Sequence, residues 1–237
     1  MRGVLVTGGL RRIGRVICEE LASRGYCPII HSRFDTKELH DAAKSLNGYC
    51  VTGDLSTLEG AEKIFSSASD LPVELYGIVN NASLFSVKKE MAEKNVSEME
   101  NVNFFSPRFL LQKLAERANG KKVESSLVHL LDTRVLDSNF EKTPYAETKR
   151  KLFKSISKDA KEYAPYVRVN GVAPGPVLLP EGKDSSEKGG EILLPSRPEP
   201  IDVARAVLFL LEARSITGQV LAVDSGQCLI SDRIKRA

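Results

Sequence analysis

Short runs of β-branched and aliphatic residues alternate with longer stretches in which apolar positions recur every three or four residues, from one end of the chain to the other. The short runs predict strands at Val4–Thr7, Pro28–His31, Gly48–Thr52, Leu75–Val79, Ser126–Leu131, Val167–Val172 and Gln219–Val223. The amphipathic stretches predict helices at Ile13–Ser23, Lys37–Leu46, Leu58–Ser67, Val96–Ala118, Pro144–Tyr163 and Pro200–Glu212. Strands that are apolar on both faces and separated by helices form a parallel sheet covered on both sides. The predicted class is therefore α/β: a single-domain, Rossmann-type, doubly wound parallel sheet of about seven strands spanning residues 1–237. One segment breaks the rhythm. Ala173–Pro200 is rich in Pro, Gly and charge and follows the carboxyl end of a predicted strand, where open α/β sheets bind ligands, so residues 173–200 are expected to form a substrate lid.

Composition narrows the function. A chain of 237 residues, 42% of them hydrophobic, is long enough for one full core. Its 34 basic and 31 acidic residues leave a net charge of only +3, spread along the chain, which predicts no nucleic-acid partner. No apolar run approaches the ~20 residues of a membrane span, and no charged leader precedes the first strand, so no membrane partner is expected. Cys18, Cys27, Cys50 and Cys228 show neither close pairing nor metal spacing. They predict reduced thiols, no metal and a cytoplasmic location, leaving a small-molecule substrate as the expected partner.

Three motifs carry chemistry. Thr7-Gly8-Gly9-Leu10-Arg11-Arg12-Ile13-Gly14 stands between the first predicted strand and helix, where glycines permit a tight turn and helix-opening amides meet a pyrophosphate. After the second strand, where such folds select their nucleotide, stands His31-Ser32-Arg33. A carboxylate there would bond the ribose of NAD, whereas a hydroxyl and a guanidinium suit the extra phosphate of NADP; the nearest carboxylate, Asp35, lies beyond Arg33. The pattern predicts NADPH, with Ser32 and Arg33 as ligands. Tyr145 and Lys149 are four residues apart on a predicted helix, hence one turn apart on one face. An ammonium beside a phenol favours the phenolate, which predicts a lowered Tyr145 pKa suited to proton transfer.

In this order, the motifs resemble the short-chain dehydrogenase/reductase family over nearly the whole chain. The resemblance implies that Gly8, Arg11, Arg12, Ile13 and Gly14 face the cofactor phosphates. It likewise implies that Asp54 and Leu55 contact adenine, that Asn81 and Ala82 line the ribose and adenine, and that Pro174 and Gly175 border the nicotinamide. Tyr145 would be the proton donor, Lys149 would also hold the nicotinamide ribose, and Asn103 would support a proton-relay water.

Three departures from the family pattern point one way, toward its pteridine reductase branch. Arg12 replaces the usual middle glycine; Asp132 stands thirteen residues before Tyr145, where most members have Ser; and Phe85 follows Asn81-Ala82-Ser83-Leu84. By this resemblance Arg12, Ser83 and Phe85 orient a flat heterocycle by charge, hydrogen bond and stacking, while Asp132 accepts from its ring N–H or delivers a proton through Tyr145. The expected function is NADPH-dependent reduction of a dihydropterin-type substrate. The rivals are a carbonyl reductase such as a 3-oxoacyl-[acyl-carrier-protein] reductase, with Thr133 supplying the missing hydroxyl, and a non-catalytic NADP-binding sensor. Family resemblance further implies a homo-oligomer, a tetramer, built on the helices at Val96–Ala118 and Pro144–Tyr163.

Overall fold

The computed structural model describes residues 1–85, 95–137, 143–178 and 191–234. The strands are β1 (Arg2–Val6), β2 (Cys27–Ser32), β3 (Tyr49–Thr52), β4 (Glu74–Asn80), β5 (Ser125–Leu130), β6 (Val167–Pro174) and β7 (Val220–Val223). They form one seven-stranded parallel sheet in the order β3-β2-β1-β4-β5-β6-β7. The order reverses between β1 and β4, so the two half-sheets diverge there and leave a crevice at their carboxyl ends. All seven strands coincide with the predicted ones to within two residues.

The helices are α1 (Arg12–Ser23), α2 (Lys37–Ser45), α3 (Leu58–Ser69), α4 (Val96–Glu100), α5 (Ser106–Lys121), α6 (Pro144–Glu162), α7 (Pro200–Glu212) and α8 (Gln227–Ile234). Alternation along the strands sorts them into two layers. Val4 and Val6 of β1 pack with Ile17 and Leu21 of α1, Leu39 of α2 and Val203 and Val207 of α7. Leu5, between them, points to the other layer, with Ile64 of α3 and Leu110 and Leu114 of α5. Thr36, Thr57 and Thr143 cap α2, α3 and α6 by accepting from the amides of Leu39, Gly60 and Ala146. Glu199 and Asp202 form a reciprocal capping box at the start of α7.

Two features depart from the sequence expectation. The helix expected to run unbroken over Val96–Ala118 is interrupted by a π-helical turn at Asn101–Phe105, joining α4 to α5. Such a turn inserts a residue and re-aims side chains, and here it contains the buried Asn103. Helix α8, which lies beyond the last predicted strand, was not expected. The middle of the expected lid, residues 179–190, lies outside the described residues.

A single side chain finishes the α7 end of the molecule. From β6, Arg168 Nη1 donates to the carbonyls of Leu210 and Ala213, both at 2.8 Å, and Nη2 donates to that of Leu211 at 2.7 Å. These are carbonyls that a helix end leaves without intrahelical partners, and a cation there also meets the negative end of the helix dipole. Replacing Arg168 by Met should lower the unfolding free energy by about 1–2 kcal/mol, because the Leu210 carbonyl loses its donor, whereas Leu211 keeps the Tyr76 hydroxyl and Ala213 keeps the Ile216 N–H. Urea denaturation is the check, and an unchanged midpoint would show that water satisfies that carbonyl.

Candidate active site

The glycine turn follows directly from β1 and is fastened to the end of β4. Thr7 Oγ1 accepts from the amides of Asn81 and Ala82, each at 3.0 Å, and Asn81 Nδ2 donates to the carbonyls of Thr7 (2.9 Å) and Gly8 (3.1 Å). Gly8 takes φ +61°, and a Cβ on Gly14 would stand 2.3 Å from the Gly8 carbonyl oxygen, so both positions require glycine. Arg12 also has positive φ, +53°, in the place where the sequence pattern substitutes Arg for a glycine. Ile13 is half-buried against the α1 layer. The α1 N-terminus has no side-chain cap and no acidic residue in its first turn, in contrast to α2, α3 and α6. The Gly8 N–H donates to His31 Nδ1 at 3.1 Å, so its amide helps to shape the turn.

Around the nucleotide end the cations are held by carboxylates. Arg33 pairs with Asp54 at 2.7 Å and with Glu98 at 3.6 Å, and Arg11 pairs with Glu38 at 3.0 Å. Ser32 is half-buried at the end of β2. Burial raises the Asp54 carboxyl, but the Ser56 amide and hydroxyl and the Arg33 guanidinium outweigh it and hold the group below its ordinary value. Leu55 departs from its expected role: its side chain is buried in the core and its carbonyl accepts from Ser106 at 2.7 Å. Asp54 alone of that pair remains at the surface.

At the other end of the crevice, β4, β5 and α6 bring together Ser83, Phe85, Asp132, Tyr145 and Lys149. The Phe85 ring stands edge-on to Tyr145, with centroids 4.9 Å apart. Tyr145 Oη donates to Asp132 Oδ2 at 3.5 Å. Lys149 is buried, donates to the Leu130 carbonyl at 2.8 Å and lies 5.9 Å from the Tyr145 ring centre. Asn103 uses its whole amide: Oδ1 accepts from Ser83 Oγ (3.1 Å) and Leu84 N (2.8 Å), while Nδ2 donates to the Leu84 carbonyl (2.9 Å) and Thr148 Oγ1 (3.2 Å). Its side chain therefore fixes the Ser83–Leu84 segment to α6 and has no group left for a relay water. Pro174 ends β6, and the adjoining Gly175 N–H donates to Val223; a Cβ on Gly175 would come within 2.9 Å of Asp224.

Two residues absent from the sequence reading shape this end. Arg134 holds Asp132 with its amide and Nε on Oδ1, both at 2.9 Å, and Nη2 on Oδ2 at 2.7 Å. Its guanidinium carbon lies 5.6 Å from the Tyr145 ring centre. The aspartate followed two residues later by arginine was the available signal, since an Asx turn can bring such side chains together. Asp224 accepts from the Thr133 hydroxyl, which is buried, and so removes that hydroxyl from the site. A cleft of about 310 Å³ opens beside them among Thr133, Arg134, Asp137, Glu191, Gln227 and Cys228. Among the described residues no group of His, Cys, Asp and Glu is arranged to hold a metal, and no helix is long and apolar enough to cross a membrane.

A family model described as enoyl-(acyl carrier protein) reductase, of the short-chain type, matches residues 8–227. The chain belongs to the short-chain dehydrogenase/reductase family. Membership makes it a nicotinamide-dependent oxidoreductase. Among curated relatives, the dihydromonapterin reductase of Klebsiella pneumoniae is 24% identical over 234 residues, covering 96% of this chain and 97% of that protein. An uncharacterised oxidoreductase of Bacillus subtilis is 29% identical over 238 residues, covering 94% and 97%. Among solved structures, the FolM alternative dihydrofolate reductase 1 of Brucella suis, in complex with NADP, is 33% identical with a TM-score of 0.84, covering 96% of this chain and 95% of that one. Its Brucella canis counterpart, also complexed with NADP, is 34% identical with a TM-score of 0.85, covering 96% and 94%.

Within this short-chain reductase the electrostatics of the Tyr–Lys pair differ from the sequence expectation. Tyr145 is raised, not lowered: burial acts first, the Asp132 carboxylate adds to it, and Arg134 and the Ser83 hydroxyl only partly oppose them. Burial lowers Lys149 from 10.5 to about 8, against the pull of Asp132. A base held below its unfolded value makes the unfolded chain bind more protons between pH 8 and 10.5. Stability therefore rises with pH across that window, and the full cost of the buried charge is present below it. Lys149→Met should raise the melting temperature at neutral pH by the equivalent of about 2 kcal/mol, after subtracting about 1 kcal/mol for the lost bond to Leu130. Melts near pH 7 and near pH 10 check this: the gain should shrink at the higher pH, and destabilisation at both would show that the amine is not the strained group.

Proposed function

We propose that this short-chain reductase uses NADPH to reduce a C=N bond of a dihydropterin-type substrate. The observation that carries the reading is the convergence of Phe85 and Asp132 on Tyr145, an aromatic ring at 4.9 Å and a carboxylate oxygen at 3.5 Å. A flat conjugated ring stacks on an aromatic face, and a carboxylate accepts the amino and ring N–H groups that such a heterocycle presents.

The chain fits the cofactor on its own features. Gly14 leaves no room for a Cβ, Gly8 takes positive φ, and α1 presents an uncapped, acid-free N-terminus of the kind that receives a pyrophosphate. NADPH is favoured over NADH because Ser32 ends β2 and Arg33 follows it, with the nearest carboxylate in sequence, Asp35, lying beyond both, and because both solved relatives are complexed with NADP. The 2′-phosphate would compete with Asp54 and Glu98 for Arg33, while Arg11, Arg12, Ile13, Asn81, Ala82, Pro174 and Gly175 line the remaining path. NADPH, when bound, supplies the hydride. Tyr145 Oη–H donates the proton at the substrate nitrogen, and Lys149 anchors the nicotinamide ribose. Asp132 orients the heterocycle through its N–H groups, and the Arg134 fork keeps that carboxylate aimed. Arg12 and Ser83 add a cation and a hydroxyl around the ring, and Asn103 acts as the support that holds Ser83 in place.

The carbonyl reductase alternative needs a hydroxyl where Asp132 stands, and Thr133 has given its own to Asp224. A silent sensor has no use for a strained Tyr–Lys pair. A cytoplasmic location agrees with Cys18, Cys27, Cys50 and Cys228 forming no disulfide. A homotetramer agrees with the apolar Leu58, Phe105 and Phe109 that line an open groove beside α5 and α6.

NADPH oxidation measured side by side with dihydrobiopterin, dihydrofolate and a 3-oxoacyl thioester tests the reading. Pterin turnover should fall by about 100-fold or more in Asp132→Ser and in Tyr145→Phe. Turnover of the thioester alone, retained or raised in Asp132→Ser, would leave a carbonyl reductase instead. For assembly, light scattering should show a tetramer that dissociates in Phe105→Glu; a monomeric wild type would sink that part.

A further inference from the structure

We infer that His31 is a positioning residue for the dinucleotide, a neutral imidazole that clasps the glycine turn to the end of β3 and whose protonation releases the cofactor. The inference rests on dinucleotide binding as read above.

The ring is 3% exposed at the carboxyl end of β2. Its Nδ1 receives the Gly8 N–H at 3.1 Å, and its Nε2 stands 3.0 Å from the Gly53 carbonyl oxygen. The first partner can only donate and the second can only accept, so the two together assign one tautomer: bare Nδ1 and protonated Nε2. The main chain of the same residue adds a third tie, since the His31 carbonyl accepts from the Gly9 N–H at 3.0 Å. Both amides of the Gly8-Gly9 pair are thus spent on His31. The turn is held between β2, β3 and the Thr7–Asn81 contacts, leaving the start of α1 to face an anion.

A proton on Nδ1 would set N–H against N–H. The Gly8 amide would lose its acceptor in a buried place, and the turn would have to move. From the end of β3, Asp54 favours the imidazolium, but it is already paired with Arg33. On the turn, Arg11 and Arg12 are exposed, and Arg11 is paired with Glu38. From α1, the Cys18 thiol donates to the Gly9 carbonyl and burial pushes it up to about 12, so it stays neutral. Burial of the ring outweighs Asp54 and the Gly53 bond and lowers the His31 pKa from 6.5, so the clasp is intact above that pH and opens as pH falls below it.

Calorimetric titration of the full chain with NADP⁺ between about pH 7.5 and pH 5.5 tests this, using wild type, His31→Asn and His31→Leu. Asn keeps an acceptor in the Nδ1 position and does not titrate; Leu removes both bonds. The ligand's own phosphate titrates near this range, but equally for every protein, so the ratio of wild-type to His31→Asn affinity isolates the ring. The wild-type Kd should rise about two- to fivefold more than that of His31→Asn at the acid end, less than an unshifted ring would give, and His31→Leu should bind about tenfold more weakly at the higher pH. Equal change in wild type and His31→Asn overturns the inference and leaves dinucleotide binding standing. Absence of NADP⁺ binding by wild type at every pH overturns both. Should the variants fold poorly, ring-nitrogen NMR shifts of the wild-type protein near neutral pH decide: a neutral ring protonated at Nε2 is expected, and an Nδ1–H or imidazolium signal for His31 would end the proposal.

Discussion

The hydroxyl of Thr7 is the node from which the site is hung. It receives two amides from the end of β4, those of Asn81 and Ala82, and itself donates to the Val79 carbonyl at 3.4 Å. This joins β1 and β4 where the sheet order reverses and the two strands would otherwise part company. The phosphate turn leaves the node on one side and the Ser83–Phe85 segment on the other. A continuous polar path then runs from that segment through Asn103 to Thr148, and Thr148 returns a bond of 2.6 Å to the Tyr145 carbonyl. The spacing between the glycine turn and Tyr145 is thereby set by buried hydrogen bonds, which are costly to leave unmade.

Local rules are broken mainly along this path. Arg12 is a non-glycine residue at φ +53°, a conformation that costs roughly 1–2 kcal/mol. The Lys149 amine is buried with a carbonyl partner and, among the described residues, no directly bonded carboxylate. Asp132 faces a phenol and is held by an arginine two residues away. Asn47, Lys122 and Ser225 also take positive φ, but at turns and helix ends; Arg12, Lys149 and Asp132 together combine strain with buried or closely paired charge, as expected where a molecule is organised for chemistry.

How much of this was legible depended on sequence distance. Strand and helix positions followed from apolar rhythm, because burial on two faces writes itself into neighbouring residues. Tyr145 and Lys149 were found together because helix geometry relates positions four apart. The resemblance supplied Asp132 and Phe85, and their convergence on Tyr145 agrees with it. What could not be read joins residues far apart in the chain: the Thr133 hydroxyl with Asp224, or the His31 ring with Gly8 and Gly53. His31 looked like part of a nucleotide selector and is a strut. The π-helical turn that contains Asn103 was invisible for another reason, since one extra residue per turn leaves the apolar pattern of a long helix almost unchanged.

For the proposed reaction, with Tyr145 as donor, the direction of proton traffic follows from the same crevice. A lowered tyrosine beside a permanently charged lysine would suit removal of a proton from a substrate. Here burial and the Asp132 carboxylate raise Tyr145, and burial brings Lys149 to about 8, so near neutral pH the phenol keeps its proton and the amine is mostly charged. Both groups are loaded. A reduction consumes a proton at the substrate, and a donor that starts protonated and is recharged by a neighbouring ammonium meets that demand without first drawing on solvent. The carboxylate that raises the tyrosine is the one whose place is usually taken by serine, so the same departure on which the proposed substrate rests also keeps the phenol protonated.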